Sequence, residues 1–281
     1  MKKQKKIFKV KDHFLSNEFF SLTYDQNTAM FVTSPKPDED KMESYYQSSR
    51  YLSHQKTGND FFSKAYFFSR QLTTSLKTRM ISSLFSKPGK VLDVGSGTGE
   101  LLTALKNEGW NVKGIEPNKA AKQTALDKGI SHEHSLGEVE KNSLDLVVFW
   151  HSLEHLYDLN NTLNEVKKIL KPTGILMVAC PNHESWDAKY YGNFWAAWDV
   201  PRHLQHFSPI SLERLLGPKG FTQIKKYPLF LDAFYVSILS EKSMGHRFSF
   251  VRGLVIGLIS NLVGCLTNNY SSQVYVFKKH V

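Results

Sequence analysis

Val91-Leu92-Asp93-Val94-Gly95-Ser96-Gly97-Thr98-Gly99 is an aliphatic run that closes on an acid and opens into alternating glycines. The run has the composition of a buried strand, and the glycines let the chain turn sharply while a ligand approaches the main chain. Leu101, Leu102 and Leu105 then recur on one helical face until Gly109, and Val112 to Ile115 has the pattern of a second strand. Strand, glycine turn, helix and strand make one βαβ unit. Such units build a parallel sheet with helices on both faces.

The same alternation continues toward the C terminus. A short helix with Ala121, Ala125 and Leu126 inward stops at Gly129, a weakly marked third strand lies near Ile130 to His132, and Leu144 to Trp150 forms a central hydrophobic strand. Leu159, Leu163, Val166 and Leu170 keep helical spacing until Pro172-Thr173-Gly174 breaks it, and the strand Ile175 to Ala179 follows. Ser208 is an N-cap with Pro209 at the first helical position and Phe207 placed to staple against Leu212, and Gly217 and Gly220 close that helix. Residues 221–228 and 273–278 supply two further strands, with a hydrophobic helical insertion at about 231–266 between them. Residues 1–85 show no such alternation but are dense in aromatics, among them Phe19, Phe20, Tyr24, Tyr45, Tyr46, Tyr51, Phe61, Phe62, Tyr66, Phe67 and Phe68. An aromatic-rich N-terminal cap over 1–85 is therefore expected beside a main domain over 86–281.

Composition narrows the function. The net charge is +10, yet the lysines are interspersed with acids except in the first dozen residues, so solubility and a basic tail explain it without a nucleic-acid partner. Cys180 and Cys265 are too few for a disulfide framework or a four-thiolate zinc site, and no metal site is expected. Met1-Lys2-Lys3-Gln4-Lys5-Lys6 has the charge of an export leader, but Lys9, Lys11, Asp12 and His13 interrupt the apolar run that must follow, so a cytoplasmic protein is expected. Leu254 to Leu266 is about thirteen residues against the roughly 20 of a bilayer span. With Gly257, Ser260, Asn261 and Gly264 inside it, it is not expected to span a membrane, and 251–266, with Arg247 and Arg252 nearby, reads as a core helix, a peripheral membrane contact or a greasy acceptor pocket.

The glycine turn departs from the dinucleotide fingerprint, whose sixth position is a glycine, by carrying Glu100 there. A pyrophosphate beside that carboxylate is repelled. Asp93 at the end of the first strand suits a ligand with a positive amino group, and Glu116 at the end of the second can accept hydrogen bonds from both hydroxyls of a ribose.

Taken together, Asp93 to Gly99 and Glu116 resemble the first two motifs of the class I S-adenosylmethionine-dependent methyltransferases. Asp145-Leu146-Val147-Val148-Phe149-Trp150-His151-Ser152-Leu153-Glu154-His155-Leu156 is similar to the fourth-strand motif of their small-molecule branch, of the bacterial quinone-biosynthesis type, and the likeness covers roughly 88 to 226. The resemblance implies a Rossmann-like, doubly wound, mostly parallel seven-stranded sheet, with S-adenosylmethionine as cofactor. It implies that Gly95, Ser96, Gly97 and Gly99 meet the methionine part along with Asp93, that Glu116 and Asn118 hold the ribose, and that Ser135 and Leu136 edge the adenine. Trp150 and His151 are implied to line the cofactor cleft, while Glu154 and His155 anchor a helix.

Asn193-Phe194-Trp195-Ala196-Ala197-Trp198-Asp199-Val200-Pro201-Arg202-His203-Leu204-Gln205-His206-Phe207 gathers rings, a carboxylate, a guanidinium and imidazoles just before a helix. It also resembles the Pro-Arg-His-x-x-His-Phe-Ser stretch of related methyltransferases. His151, His203 and His206 are candidate bases for a hydroxyl acceptor, Asp199 an orienter or alternative base, and Arg202 a holder of an acidic substrate group. The alternative at each position is a structural role, with Trp195 and Trp198 in the core.

The expected function is methyl transfer to a small molecule of lipid-, quinone- or saccharide-like character. A catalytically silent binding protein of the same fold, a nucleic-acid methyltransferase and a nicotinamide dehydrogenase are the alternatives. The second of these lacks support because Trp150-His151-Ser152-Leu153 stands where base-directed enzymes carry an Asn-Pro-Pro-Tyr type of motif. Oligomeric state leaves no mark in the sequence.

Overall fold

A computed structural model describes residues 7–46 and 73–280 of the chain. Tyr51, Phe61, Phe62, Tyr66, Phe67 and Phe68 of the expected aromatic cap, and the lysine-rich first residues, lie outside the described residues.

The described part of the N-terminal stretch is a β-meander, which the sequence reading did not find. β1 (Ile7–Lys11), β2 (Phe19–Asp25) and β3 (Met30–Ser34) pair antiparallel in sequence, with Val10 opposite Phe20 and Tyr24 opposite Phe31. Phe20, Leu22 and Phe31 are buried along it.

The expected α/β series follows. β4 (Lys90–Val94), β5 (Asn111–Ile115), β6 (Ser131–His132), β7 (Leu144–Trp150) and β8 (Leu170–Pro181) alternate with α1 (Glu100–Asn107), α2 (Lys119–Asp127) and α3 (Leu159–Ile169). α1 buries Leu101, Leu102 and Leu105, as its periodicity requires. α2 is capped by Asn118, whose side chain accepts from the Ala121 N–H at 3.0 Å, and buries Ala125, but Leu126 is exposed rather than inward. β8 begins at Leu170, directly after α3, so Pro172-Thr173-Gly174 lies within the strand instead of separating it from the helix.

Later come α4 (Trp186–Tyr191), β9 (Gln205–His206), α5 (Pro209–Leu216), β10 (Phe221–Pro228), α6 (Phe230–Ser243), α7 (Ser249–Thr267) and β11 (Ser272–Lys279). The entry to α5 has the predicted form, with Ser208 and Ser211 exchanging side-chain and backbone hydrogen bonds in a capping box. α7 is 19 residues, longer than the stretch expected from sequence, and is the one helix among the described residues that is long and apolar enough to cross a membrane. Gly253, Gly257, Ser260, Asn261 and Gly264 are its buried residues, so the positions that look like interruptions in the sequence form one side of a continuous helix.

The seven-stranded sheet has the order β10-β11-β8-β7-β4-β5-β6. β4 is parallel to β5 on one side and to β7 on the other, which makes it the point where the winding reverses. Ligands of such sheets sit beyond the carboxyl ends of the strands at that reversal. β9 belongs to the other sheet, where it extends the meander by pairing with β3, Phe31 opposite His206 and Val32 opposite Gln205.

The chain folds as two compact units that interleave in sequence. One comprises the described residues of Met1–Ser48, His151–Leu159 and Val178–Phe277, and the other those of Ser49–Trp150, Asn160–Met177 and Lys278–Val281. The meander is stitched to the segment around residue 205 by the pairing of β3 with β9. Val91, Leu92, Leu146, Val147, Val148 and Phe149 form the interior of the second unit, while Phe20, Leu22, Phe31, Trp195 and Trp198 pack together in the first.

Candidate active site

At the carboxyl end of β4 the chain enters the glycine turn with Gly95, Gly97 and Gly99 all in the left-handed region, at φ 81°, 54° and 78°. A β-carbon at Gly99 falls 2.9 Å from the Ala125 side chain, so that glycine lets α2 approach. A β-carbon at Gly97 meets nothing within 4 Å among the described residues, so that glycine leaves room for a ligand. Gly95 and Ser96 donate their N–H groups to the Ile115 carbonyl, at 2.8 and 3.2 Å, which ties the turn to β5.

Glu116, one residue past β5, accepts from the Gly97 N–H through Oε2 and from the Asn118 N–H through Oε1, both at 2.8 Å. These bonds fix the carboxylate and leave each oxygen a second lone pair for a hydroxyl. Glu100 is spoken for by Lys128 at 2.8 Å and by the Thr98 hydroxyl.

Asp93 is buried, and its Oδ1 has no hydrogen-bond partner among the described residues. Burial pushes its pKa up to about 7, with the Lys77 ammonium drawing it down and Glu116 adding to the rise. A buried, ionisable oxygen without a partner among the described residues, in the strand that leads into the glycine turn, suits a cationic ligand group. Lys77 also lies 4.3 Å over the Trp150 ring at the end of β7. Ser96 shares a 3.1 Å hydrogen bond with His132, while Ser135 is exposed and Leu136 half-buried at the start of a short 3-10 turn.

The acceptor candidates belong to the other unit. His151 has a left-handed φ of 52° and stands between two carboxylates, Asp232 at 3.1 Å from Nε2 and Glu154 at 3.5 Å from Nδ1. Burial acts to lower its pKa, but the two carboxylates outweigh it and raise it to about 10, so the ring is an imidazolium at neutral pH. Glu154 is buried, and against that burial His151 and His203 hold it ionised, at a pKa of about 2.

His206 is buried and its Nε2 is 2.9 Å from the Thr33 hydroxyl, which spends its own proton on the His203 carbonyl at 2.7 Å. His206 is therefore the donor, and burial, with His203 and His183 adding to it, keeps its pKa well below the ordinary value. Arg202 is also buried, bonded to Asp199 through Nε and Nη2 at 2.9 and 2.7 Å and to Asp12 at 3.0 Å. It ties the loop to the first turn of the meander. Trp195 and Trp198 are core residues.

His203 is different. Its Nδ1 lies 3.0 Å from the Ala197 carbonyl, which only accepts, so the proton sits on Nδ1. Burial and the neighbouring His155 lower its pKa, which leaves Nε2 with a lone pair, 3.8 Å from Asp199 and 3.9 Å from Glu154. A neutral imidazole anchored through one nitrogen, with carboxylates beside the other, is built to take a proton.

Sequence reasoning missed Lys77, Asp232, Asp12 and Thr33. Each acts on a candidate residue from a distant part of the chain, and no local pattern announces it.

The family model described as a methyltransferase domain matches residues 67–226, more than half of the chain. The chain is 32% identical over 133 residues to the ubiquinone biosynthesis O-methyltransferase of Erwinia tasmaniensis, covering 43% of this chain and 54% of that protein. With the enzyme of that name from Haemophilus ducreyi the identity is 35% over 115 residues, covering 36% and 48%. The chain thus spans about half the length of these relatives. In fold it is similar to an S-adenosylmethionine-dependent methyltransferase from Archaeoglobus fulgidus, with a TM-score of 0.53 at 22% identity over 78% of this chain and 100% of that one. It is likewise similar to the magnesium protoporphyrin IX methyltransferase of Synechocystis, with a TM-score of 0.55 at 13% identity over 86% and 100%. A family match of that extent, laid over the strand, turn and helix in which Asp93 and Glu116 stand, makes the chain a member of the class I S-adenosylmethionine-dependent methyltransferase family.

Proposed function

We propose that the protein transfers the methyl group of S-adenosylmethionine to a hydroxyl of a small molecule of quinone- or lipid-like character. The observation that carries the donor assignment is the Oδ1 of buried Asp93, which has no hydrogen-bond partner among the described residues, in the strand that leads into the glycine turn. Asp93 receives the donor's ammonium group, Glu116 its ribose hydroxyls through the lone pairs that Gly97 and Asn118 leave unused, and Ser135, Leu136 and Trp150 flank the base and the cleft. S-adenosylmethionine, when bound, supplies a methyl already activated on a sulfonium, so the chain has to align, exclude water and remove one proton.

Within its own unit, His203 is the residue suited to take a proton from a hydroxyl, through the lone pair on Nε2. Asp199 and Glu154 favour the imidazolium so formed. His151, already an imidazolium, serves as fixed positive charge rather than as a base. Arg202 and His206 hold the loop in register. The hydroxyl acceptor is supported by the O-methyltransferase relatives, which act in ubiquinone biosynthesis by name. An acceptor of that kind agrees with a protein peripheral to a membrane through 251–266.

Calorimetry with S-adenosylhomocysteine tests the donor site. One binding site is expected in the wild type, weakened about 10- to 100-fold in Glu116→Ala, given roughly 1.5–3 kcal/mol for a hydrogen bond to a charged group. Absence of binding by the wild-type protein refutes the reading.

A further inference from the structure

α7 is inside out by the standard of a water-soluble helix. Its protein-facing side carries Gly253, Gly257, Ser260, Asn261 and Gly264, while Val251, Leu254, Val255, Leu258, Leu262 and Leu266 are exposed, Leu258 by 52% and Leu262 by 57%. The exposed positions recur at intervals of three and four, so they form one stripe along the full helix. The glycines bring α7 against α6: a β-carbon at Gly253 falls 2.5 Å from the Ile238 Cα, and one at Gly257 falls 2.8 Å from the Phe234 Cα. The large side chains cannot turn inward, because backbone already fills that space.

The polar side of α7 is bonded to the body of its unit. The Ser260 hydroxyl donates to buried Asp187 at 2.8 Å, and the Asn261 amide donates to the Phe230 carbonyl at 2.9 Å. α6 carries buried Glu241, bonded to Arg252 of α7 at 2.6 Å. Although long enough to cross a bilayer, α7 is therefore held flat by its partners and exposes one side only.

Charge says what covers that side. From Lys242 to the C terminus there is no acidic residue, while Lys242, Arg247 and Arg252 stand around the α6–α7 turn. Arg247 lies over the ring of exposed Phe248, and Phe250 is exposed beside it. Trp186 stacks on exposed Tyr190 in α4, which packs against α7 and adds amphipathic rings suited to a headgroup layer. A second copy docked on this stripe by a twofold axis sets the same cations against one another with no acid from 242 onward to answer them. The hairpin lies beyond residue 226, where the family match ends.

Deepening the peripheral contact proposed above, on which this inference rests, we propose that the α6–α7 hairpin lies flat on a membrane surface rich in anionic lipid. The Val251 to Leu266 stripe enters the acyl boundary, and Lys242 and Arg247 lie among the phosphates.

The chain offers its own probe. Cys265 is exposed at the end of this helix and Cys180 is buried, so a polarity-sensitive dye attached to the full chain reports at Cys265. With vesicles of phosphatidylglycerol and phosphatidylcholine, the emission is expected to shift to the blue and the protein to co-sediment, far less so with phosphatidylcholine alone. Leu258→Asp with Leu262→Asp is expected to lower partitioning at least tenfold, and Arg247→Glu to remove most of the preference for phosphatidylglycerol. S-adenosylhomocysteine binding, unchanged in all of these, separates a failed docking surface from a failed donor site. No vesicle binding at low salt overturns the proposal. A dimer in sedimentation velocity that Leu258→Asp dissociates, with no vesicle binding, also overturns it and assigns the stripe to a second copy.

Discussion

Asp12 and Arg202 stand 190 positions apart in the chain, and their side chains meet in a 3.0 Å ion pair from which water is shut out. Asp12 also takes the N–H groups of Phe14, Leu15 and Ser16, and Arg202 also holds Asp199. Burial works against the charge on Asp12, and Arg202 overcomes it, so its pKa lies below the ordinary value. Arg202→Met leaves two carboxylates without their counterion. A loss of about 3–5 kcal/mol in urea unfolding is expected, the cost of breaking a buried pair. A loss under about 1 kcal/mol would place the pair with exposed ones.

Asp93, as the proposed ligand of the donor's ammonium group, is expected to make donor binding depend on pH. Its folded pKa of about 7 is above the unfolded value, so the empty protein gains stability from this group as pH falls through 7, when the buried carboxyl becomes neutral. Binding of an ammonium group needs the carboxylate. Affinity for S-adenosylhomocysteine, followed by calorimetry, should weaken about tenfold for each pH unit below 7 and level off above it. Asp93→Asn should bind weakly with no such slope, and a flat wild-type profile would remove Asp93 from the site.

His151 should remain charged through the neutral range. With a folded pKa of about 10, above the unfolded value of 6.5, its contribution to stability is complete below 6.5 and lost as pH rises through 10. In an NMR titration its ring signals are expected to hold still between pH 6 and 9. Asp232→Asn should bring the midpoint down by about 1 to 3 pH units. A wild-type midpoint near 6.5 would return His151 to the list of bases.

His203 and His206 should part company in kinetics. His203→Gln is expected to lower kcat by about 10²- to 10⁴-fold with donor affinity kept, the usual effect of losing a general base. His206→Phe removes a donor to Thr33 and should cost about 1–3 kcal/mol of stability with a smaller change in kcat. Equal loss of kcat in both variants would contradict the separation.

The strand, glycine turn and helix of the candidate donor site were legible because their signals are local. Asp93, the glycines and Glu116 lie within 24 positions, and the leucines of α1 repeat at helical spacing, so neighbouring residues carry the whole pattern. The meander was hidden for the opposite reason: Phe19 and Phe20 are adjacent but face different ways, one exposed and one buried, and aromatic density masks the alternation. Leu126 and the outward leucines of α7 break the rule that apolar residues point inward. Which histidine keeps a free lone pair was not legible at all, since the answer depends on carbonyls and carboxylates supplied by distant segments.

The pairing of β3 with β9 makes the first strands and the loop around residue 203 a single inherited part. The Thr33 hydroxyl sets the donor role of His206 and holds the main chain at His203, so a change in either partner is felt by both. Exchanging the acceptor loop between relatives without its meander would transplant histidines stripped of the groups that decide their protons. Acceptor preference in this lineage should then diverge through paired changes near residues 12–33 and 199–206, while the glycine turn stays as it is.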